Sequence, residues 1–386
     1  MSHGGIALVV SGFPRRSETF ALNELLALEA RGMLAAVFAT KPGDGQPPHP
    51  DCARLLDRVQ LLPAGSPAEQ AAALVEFLGG RPLAGIHAYF AHTPAEVAAH
   101  AARQLNLPYG FSAHARDARK VAPAELARRA REAACVVACN SDVAGEFKKT
   151  GAAVHLIPHG VDSRRFYPRP LPPAEPLRLL AVGRLVEKKG FDVLIRAVAQ
   201  LSVPFHLRII GDGPERSRLA ALIHTHGLTN QVELCGGMTH TELPEAYAAA
   251  HVVVVPSIVD RTGDRDGLPN VVLEAMACGR PVVACNVGAI RNAVKSARSG
   301  FLVPAGVAPA LTYVLEWLAA YPTFCEKLGQ NGRAQVERDF ELGYCAEQFC
   351  RFLGEIYNQT YPKKGDSSNG AKGRDWVYPE RLSPPV

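Results

Sequence analysis

Short apolar runs alternate with longer stretches of helical periodicity along most of the chain. The first run, residues 6–10, contains only Ile, Ala, Leu and Val and is followed by Gly12 and Pro14. Such a run is typical of a strand buried on both faces of a parallel sheet. The next stretch repeats its apolar residues at helical spacing and is predicted to form a helix with Ser17 as N-cap and Gly32 as the stop.

The same alternation continues through the rest of the chain and predicts two series of strands. They cover residues 33–39, 84–88, 135–139 and 154–158, and then 177–183, 206–211, 231–236, 252–256 and 281–285. After residues 84–88, Thr93-Pro94-Ala95-Glu96 predicts a helix opened by a capping box. Strands that alternate with helices in two series indicate an α/β protein with two doubly wound, Rossmann-like domains facing each other across a cleft.

Proline divides the two series. Residues 168–176 carry five prolines, a density that removes backbone donors and stiffens an interdomain linker. The predicted organisation is an N-terminal domain (1–168), a linker (169–176), a C-terminal domain (177–340), a helix that returns to the N-terminal domain (341–360) and a tail (361–386). Trp376 and Tyr378 are the tail residues most suited to dock on the body.

Composition narrows the class of protein. Apolar residues make up 47% and charged residues 20% of the 386 residues, as in ordinary globular proteins. The formal net charge of +5 lies mostly in the N-terminal half and is too small to indicate nucleic-acid binding. Nine scattered cysteines suit reduced thiols better than a disulfide framework or a zinc site. With no signal-peptide pattern and no apolar run of spanning length, a cytoplasmic protein is predicted.

The most specific motif follows the strand at 252–256. Asp266 and Glu274 stand eight residues apart, separated by a Gly267-Leu268-Pro269-Asn270 turn that opens a helix. Pro269 suits the first helical position, and the unpaired N–H groups at a helix start favour an anion such as a diphosphate. Asp266 is placed to accept hydrogen bonds from hydroxyl groups and Glu274 to reach a ribose. The alternative is a solvated aspartate before a structural helix.

Two further turns follow strands of the second series. Gly183 permits close approach of a ligand to the backbone, and Arg184 and Lys189 offer cations suited to a diphosphate. A basic loop before a helix is also often only solvated. Gly211 and Gly213 form a Gly-Asp-Gly turn after the next strand, a pattern that is weak by itself.

Together these motifs carry a family resemblance. GRLVEKKG, GDGP and DGLPNVVLEAMACGRPVV, with SGFPRRSETF, HAYFAH, SAHARD and IPHGVDSRRF before them, resemble glycosyltransferase family 4 over about residues 6–358. The similarity is to the bacterial branch that makes capsular, exopolysaccharide or O-antigen chains, as in colanic acid synthesis. It implies the GT-B fold, with acceptor bound by the N-terminal domain and nucleotide sugar by the C-terminal domain. This chain has Asp266 where the family usually has a Glu, and Ser17-Glu18-Thr19 where many members have a Gly-rich loop.

The resemblance implies roles for individual residues. Arg184 and Lys189 would neutralise the departing diphosphate, Asp266 would hold donor-sugar hydroxyls, and His114 would face the sugar from the acceptor domain. The nucleotide-sugar site would comprise Gly183, Gly211, Gly213, Gly267, Leu268, Pro269, Asn270 and Glu274. Arg16, Ser17, Thr19 and His87 would lie on the acceptor side, although a solvated arginine, two capping residues and a packing histidine are the alternatives. His114 has a structural alternative as well.

The function implied is retaining, metal-independent transfer of a sugar from a UDP- or GDP-sugar to a hydroxyl of a glycan or lipid-linked oligosaccharide. No cofactor and no nucleic acid are implied, and contact with the inner face of the membrane would be peripheral. A small soluble acceptor such as an aminocyclitol, and a noncatalytic or epimerase protein of the same fold, remain as alternatives. A dinucleotide-dependent oxidoreductase is disfavoured because G-x-G-x-x-G is missing after the first strand.

Overall fold

The computed structural model describes residues 4–15, 18–45, 48–114 and 121–357. The predictions for Arg16 and Ser17, and for the tail at 361–386 with Trp376 and Tyr378, therefore lie outside the described residues. The remainder forms two α/β domains, each built on one parallel sheet. This confirms the predicted fold class.

The N-terminal sheet has seven parallel strands in the order β3-β2-β1-β4-β5-β6-β7. They are β1 (Gly5–Val10), β2 (Leu34–Ala39), β3 (Val59–Leu61), β4 (Leu83–Tyr89), β5 (Tyr109–Ala113), β6 (Cys135–Ala138) and β7 (Val154–Leu156). The helices between them are α1 (Thr19–Ala30), α2 (Pro67–Leu78), α3 (Thr93–Leu105), α4 (Pro123–Glu132) and α5 (Ser141–Lys148). Central strands such as β1 are apolar throughout because both of their faces are covered.

The C-terminal sheet has six parallel strands in the order β10-β9-β8-β11-β12-β13. They are β8 (Leu177–Val182), β9 (Phe205–Ile210), β10 (Val232–Gly236), β11 (Val252–Val255), β12 (Val282–Cys285) and β13 (Gly300–Val303). Its helices are α6 (Phe191–Val198), α7 (Arg216–Thr225), α8 (Leu243–Ala248), α9 (Asn270–Ala277), α10 (Ile290–Ala293), α11 (Ala308–Ala320) and α12 (Pro322–Asp339). Because the carboxyl ends of parallel strands share one edge, each sheet gathers its following loops on one side.

The last helix, α13 (Leu342–Ile356), packs on the first domain rather than on the second. Phe349 and Leu353 join the apolar face of α1, where Leu25 and Leu28 are fully buried. The hydroxyl of Tyr357, just past the helix, donates to the Ile86 carbonyl at 3.1 Å inside β4. The chain therefore crosses between the domains twice.

Several local predictions need correction. The predicted strand ranges do not include β3, β5 and β13. The strands β3 and β13 are short and lie at sheet edges, where no long apolar run is required, whereas β5 is a buried central strand whose sequence YGFSA is not continuously apolar. The capping box at Thr93–Glu96 is wrong: α3 starts after His92 without a side-chain cap, and Glu96 instead binds Arg129 at 2.8 Å. Glu18, not Ser17, is the N-cap of α1.

The two domains also meet through polar contacts. Arg265 of the C-terminal domain binds Asp142 of α5 at 3.0 Å, and Asn292 donates to the Ser141 hydroxyl at 2.5 Å. At the crossing, the Val161 N–H donates to the Phe340 carbonyl at 2.9 Å. These contacts hold the carboxyl edges of the two sheets opposite each other.

All nine cysteines are free thiols. None of the described helices is both long enough and apolar enough to cross a bilayer.

Arg280 anchors the connection between the domains. The side chain is 1% exposed, and its guanidinium donates to the carbonyls of Tyr247, Ala248, Arg169 and Pro170 at 2.9–3.2 Å. A buried guanidinium that satisfies carbonyls of both the linker and α8 fixes where the linker joins the second domain.

We predict that Arg280→Met destabilises the protein by about 2–4 kcal/mol, because buried carbonyls would lose their donor. Differential scanning calorimetry should show a melting temperature lower by about 5–10 °C. Arg338→Met is the matched control, since the Arg338 side chain is 62% exposed, and its melting temperature should stay close to that of the wild type. Equal melting temperatures for the two variants would contradict this assignment.

Candidate functional site

The two domains enclose a cavity of about 580 Å³ at the carboxyl edges of their sheets. Thr19 and Asn23 of α1 form one wall, and Asn270, Leu273 and Glu274 of α9 form the opposite wall. The crossing segment at 160–166 contributes further lining residues. The cavity thus brings together three residues predicted from the sequence: Thr19, Asn270 and Glu274.

Glu274 is the buried acid of this cavity. Its side chain is buried and accepts a hydrogen bond from the Tyr247 hydroxyl at 2.7 Å. Burial raises the pKa of Glu274 to about 7, and the Tyr247 hydrogen bond offsets only part of that rise. The carboxyl group is therefore close to half-protonated at neutral pH and can either accept or donate a hydrogen bond to a hydroxyl.

Asp266 is buried too, but its environment is cationic. Lys189 Nζ binds Oδ2 at 2.8 Å, the Ser257 hydroxyl donates to the same oxygen at 2.7 Å, and Lys188 Nζ lies 3.6 Å from Oδ1. Burial would raise the pKa of Asp266, but these contacts, led by Lys189, outweigh it and leave the pKa below its ordinary value. The two acids eight residues apart therefore have different charge states at neutral pH.

The loops after β8 and β9 pack directly against each other. Gly211 has φ +143°, and a Cβ on it would lie 1.9 Å from the carbonyl oxygen of Gly183. A Cβ on Gly213 would lie 2.4 Å from the Leu185 carbonyl oxygen. Because the three glycines allow this contact, the turn after β8 is held at the sheet edge with the Arg184 side chain exposed to solvent.

The turn before α9 is also held by contacts with neighbouring segments. Pro269 occupies the N-cap position, one residue before the predicted one, and α9 begins at Asn270. The carbonyl of Gly267 accepts from the Ala289 N–H at 3.1 Å. Leu268 reaches across to the other domain, where it shares a small cavity with Cys139. The start of α9, where the N–H groups of Asn270 and Val271 have no carbonyl partner within the helix, is thus fixed beside Asp266.

His114 lies at the end of β5 among aromatic rings. Its ring centroid is 4.6 Å from that of Phe20, 5.0 Å from that of Phe90 and 5.1 Å from that of His159. Burial, followed by the charge of His159, holds the pKa of His114 well below its ordinary value. The predicted contact of His114 with a donor sugar stays a prediction.

His87 does not lie at the acceptor side of the cleft, contrary to the prediction. It is completely buried in β4, where its ring nitrogens bind the Tyr357 hydroxyl at 3.1 Å and the Ser112 hydroxyl at 3.0 Å. Burial lowers its pKa to about 3. The neutral ring links the sheet to the segment after α13, which is a structural role.

Sequence reasoning did not find the partners of the acidic residues. Tyr247 donates a hydrogen bond to Glu274, and Ser257 donates one to Asp266. Neither donor belongs to a sequence motif that includes its acceptor. Glu24 was also missed, although a lone acid at an otherwise buried position of α1 is a recognisable signal. It accepts from His159 Nδ1 at 3.0 Å.

In the described part of the chain, one group of side chains has the composition of a metal site. One ring nitrogen each of His114 and His159 and the sulfur of Cys139 lie within 4.8 Å of one another. The two rings, however, are stacked with an interplanar angle of 10°. Since the lone pair of an imidazole lies in its ring plane, stacked rings do not direct their nitrogens to one ion.

Two family models match this chain. Residues 17–165 match Glycosyltransferase Family 4, and residues 163–335 match Glycosyl transferases group 1. The boundary between the two matches falls at the crossing segment that lines the cavity.

Individual relatives agree with these matches. The chain is 30% identical to WcaL of Escherichia coli, described as a colanic acid biosynthesis glycosyltransferase, over 85% of this chain and 94% of the relative. It is 33% identical to the amylovoran biosynthesis glycosyltransferase AmsK of Erwinia amylovora over 47% of this chain and 46% of that one. Among solved structures, sucrose-phosphate synthase of Thermosynechococcus elongatus superposes with a TM-score of 0.77, 25% identity and coverage of 92% and 99%.

The buried state of Glu274 predicts a pH-dependent stability. The pKa of Glu274 is about 7 in the folded protein, against an ordinary value of 4.5. The protonated carboxyl group therefore gives the folded protein its full stability below pH 4.5, and this stability is lost as the pH rises through 7. Glu274→Gln does not titrate and keeps an acceptor for Tyr247. We expect its free energy of unfolding, relative to wild type, to increase by about 3 kcal/mol between acidic and mildly alkaline pH.

Calorimetry of both proteins at about pH 5 and pH 8 would measure this difference. Glu233→Gln is the control, because the Glu233 side chain is 65% exposed, and its effect should be the same at both pH values. A pH-independent difference for Glu274→Gln would show that the acid is already ionised in the folded protein at pH 5.

Proposed function

This chain belongs to the family 4 glycosyltransferases, and from that premise we propose that it transfers a sugar from a nucleoside diphosphate sugar to a hydroxyl of a growing cell-surface polysaccharide. The observation that carries the proposal is the cavity between the domains, where Glu274 of α9 faces α1. A nucleoside diphosphate presents a ribose diol and two phosphates, and Glu274 and the adjoining helix start match these groups.

The donor diphosphate is assigned to the start of α9 and to the cations beside it. Arg184 is exposed at the end of β8, while Lys189 is held by Asp266 at 2.8 Å. When a sugar hydroxyl donates to Asp266, Lys189 can turn to the phosphate, because the aspartate then keeps Ser257 as a second donor. Fixed positive groups of this type stabilise the charge that develops on a leaving diphosphate, and we propose that they do so without a metal.

We propose that transfer retains the anomeric configuration by front-face displacement. The bond between the anomeric carbon and the diphosphate oxygen breaks, the acceptor oxygen bonds to that carbon from the same face, and the acceptor proton passes to the departing phosphate. The arrangement of Asp266 supports this route, because the Ser257 hydroxyl stays bound to its Oδ2 and the donor-sugar hydroxyl replaces Lys189, so that the carboxylate remains engaged in hydrogen bonds.

The acceptor proposed is a glycan, carried on a lipid diphosphate, that the enzyme meets from the cytoplasmic side of the membrane by peripheral contact. The assignment follows the polysaccharide functions of WcaL and AmsK. Glycan transfer in the absence of membranes or lipid would remove the membrane part of the proposal, and transfer only to small soluble alcohols would replace the acceptor class.

A thermal-shift panel of UDP, GDP, ADP and their sugar conjugates tests the donor. A specific donor at about 100 times its dissociation constant stabilises the folded protein by about 2.7 kcal/mol and raises the melting temperature. We expect one nucleotide to stabilise the wild type and to lose most of that effect in Arg184→Ala and Glu274→Ala. No shift with any nucleotide would contradict the proposed function.

Arg184→Ala should lower kcat by about 100-fold or more, since one charged donor to the leaving group is lost. Arg196→Ala is the matched control, because Arg196 is another exposed arginine, paired with Asp192 on α6, and its kcat should be unchanged. Equal kcat for both variants would remove Arg184 from the site.

The stereochemistry of the product tests the mechanism separately. An α-configured donor should give an α-linked product, which proton NMR of the anomeric centre identifies. A β-linked product would rule out front-face displacement while leaving the donor assignment intact.

A further inference from the structure

A cluster of buried and half-buried polar side chains joins α1 to the ends of four strands on the acceptor side of the cleft. It contains Glu24 of α1, Tyr89 of β4, His114 after β5, Cys139 after β6 and His159 after β7. Of this set only His114 has a predicted role, that of facing the donor sugar. The others have no assigned role, although burying such polar groups is unfavourable unless they are paired.

Glu24 is the anchor of the cluster. His159 Nδ1–H donates to Oε1 at 3.0 Å, and the Tyr89 hydroxyl donates to Oε2. Both carboxylate oxygens are therefore used, in a position where the Glu24 side chain is 9% exposed. A carboxylate with two such partners holds the His159 ring in one orientation.

The two histidines differ in charge. Burial would lower the pKa of His159, but contact with Cys139 and Glu24 outweighs burial and raises it to about 10. Burial and the neighbouring His159 charge lower the pKa of His114 well below its ordinary value. At neutral pH, His159 is therefore an imidazolium and His114 a neutral imidazole.

Within the described part of the chain, the titratable groups that face Glu24 from β4 and α13 are themselves buried. Tyr89 of β4 faces Glu24, and burial, followed by Glu24, raises the pKa of its hydroxyl well above the ordinary value. From α13, Cys345 and Cys350 lie against Glu24, and burial is the largest cause that raises the pKa of each thiol. These groups stay neutral over the range in which the histidines act.

Packing restricts the orientation of the His114 ring. The rings of His114 and His159 are stacked at 5.1 Å with an interplanar angle of 10°. Phe20, next to Thr19 of the main cavity, stacks on His159 at 4.4 Å and contacts His114 at 4.6 Å. His114 therefore has little freedom to rotate while His159 stays in place.

The cluster also faces the donor loop, the turn of residues 266–269 that leads into α9. Cys139 lines a small cavity together with Leu268 and Asn292 of the C-terminal domain. Because a ring nitrogen of His114 is within 4.8 Å of the Cys139 sulfur, the histidine pair lies next to the loop that leads into α9.

We propose that His159, held by Glu24, is a positioning residue for sugar transfer, which locks the His114 ring beside the donor loop and prevents a second positive charge from forming on it. This inference rests on the proposed function. His114 then meets the donor sugar as a neutral ring, which offers one N–H donor and one acceptor to a hydroxyl. It does not act as a general acid, because the proton of the pair stays on His159.

The test uses the full chain with ¹³C-labelled histidine and the variants Glu24→Gln and His159→Gln. In the wild type, NMR should show one imidazolium that keeps its proton to about pH 9 and one ring that stays neutral down to about pH 5. In Glu24→Gln the titration midpoint of His159 should fall by more than one pH unit. In His159→Gln the midpoint of His114 should move upward.

Turnover provides the second readout. Both variants should lower kcat by about tenfold or more with less than a twofold change in the donor KM, as expected when a contact residue is misplaced. His155→Gln is the matched control, because His155 is the exposed histidine of the neighbouring strand β7, and its kcat should be unchanged. Circular dichroism and melting temperature identify any variant that fails to fold.

Three outcomes would overturn the inference. They are a wild-type His159 that titrates near its ordinary value, full kcat in His159→Gln, and one tightly bound Zn²⁺ per chain that shifts both histidine signals. If the two histidines show the expected charge states but the protein transfers no sugar, the proposed function is overturned instead, and with it the role of His159 in that reaction. Failure of the inference alone leaves donor binding by Glu274 and Arg184 unchanged.

Discussion

Three carboxylates are buried at the cleft, and the free energy of burying each one sets the chemistry around it. Asp266 is compensated by the ammonium of Lys189 and the hydroxyl of Ser257 and stays ionised. Glu274 has only the Tyr247 hydroxyl, so burial raises its pKa to about 7. Glu24 is paired with His159 and Tyr89 and keeps its neighbour charged. One physical constraint, that a buried charge needs a partner, therefore governs all three carboxylates and leaves Asp266 and Glu274 in different charge states.

The fold makes this arrangement possible because parallel strands deliver their following loops to one edge. In the second domain the loops after β8, β9 and β11 supply the cations, the glycine contact and the acidic turn. In the first domain the residues after β5, β6 and β7 supply His114, Cys139 and His159. The two edges face each other because the chain crosses between the domains twice, at residues 160–166 and before α13. The polar contacts of Arg265 with Asp142 and of Asn292 with Ser141 hold this orientation.

The apolar pattern was sufficient to predict two parallel α/β domains, because strands buried on both faces need nearly continuous apolar runs. It failed for β3 and β13, whose edge positions remove that requirement, and for the central strand β5, which is buried although its sequence includes Gly110 and Ser112. The capping box predicted at Thr93–Glu96 does not form, because Glu96 binds Arg129 instead of the backbone at the helix start. His87 shows the same limit in the site: one histidine in an apolar run gives no indication whether it faces a ligand or, as here, two buried hydroxyls.

The sequence by itself determined the fold class, the family and the acidic motif at Asp266 and Glu274, because these depend on residue type and short spacing along the chain. The tertiary structure alone decided the partners. Tyr247 reaches Glu274, Lys189 reaches Asp266 and His159 reaches Glu24 across separations of 27, 77 and 135 residues. No local pattern encodes contacts at such separations. Each arises within one domain, when a parallel sheet brings its helices and the loops after its strands together, and the resulting burial and pairing then set the charge of each group.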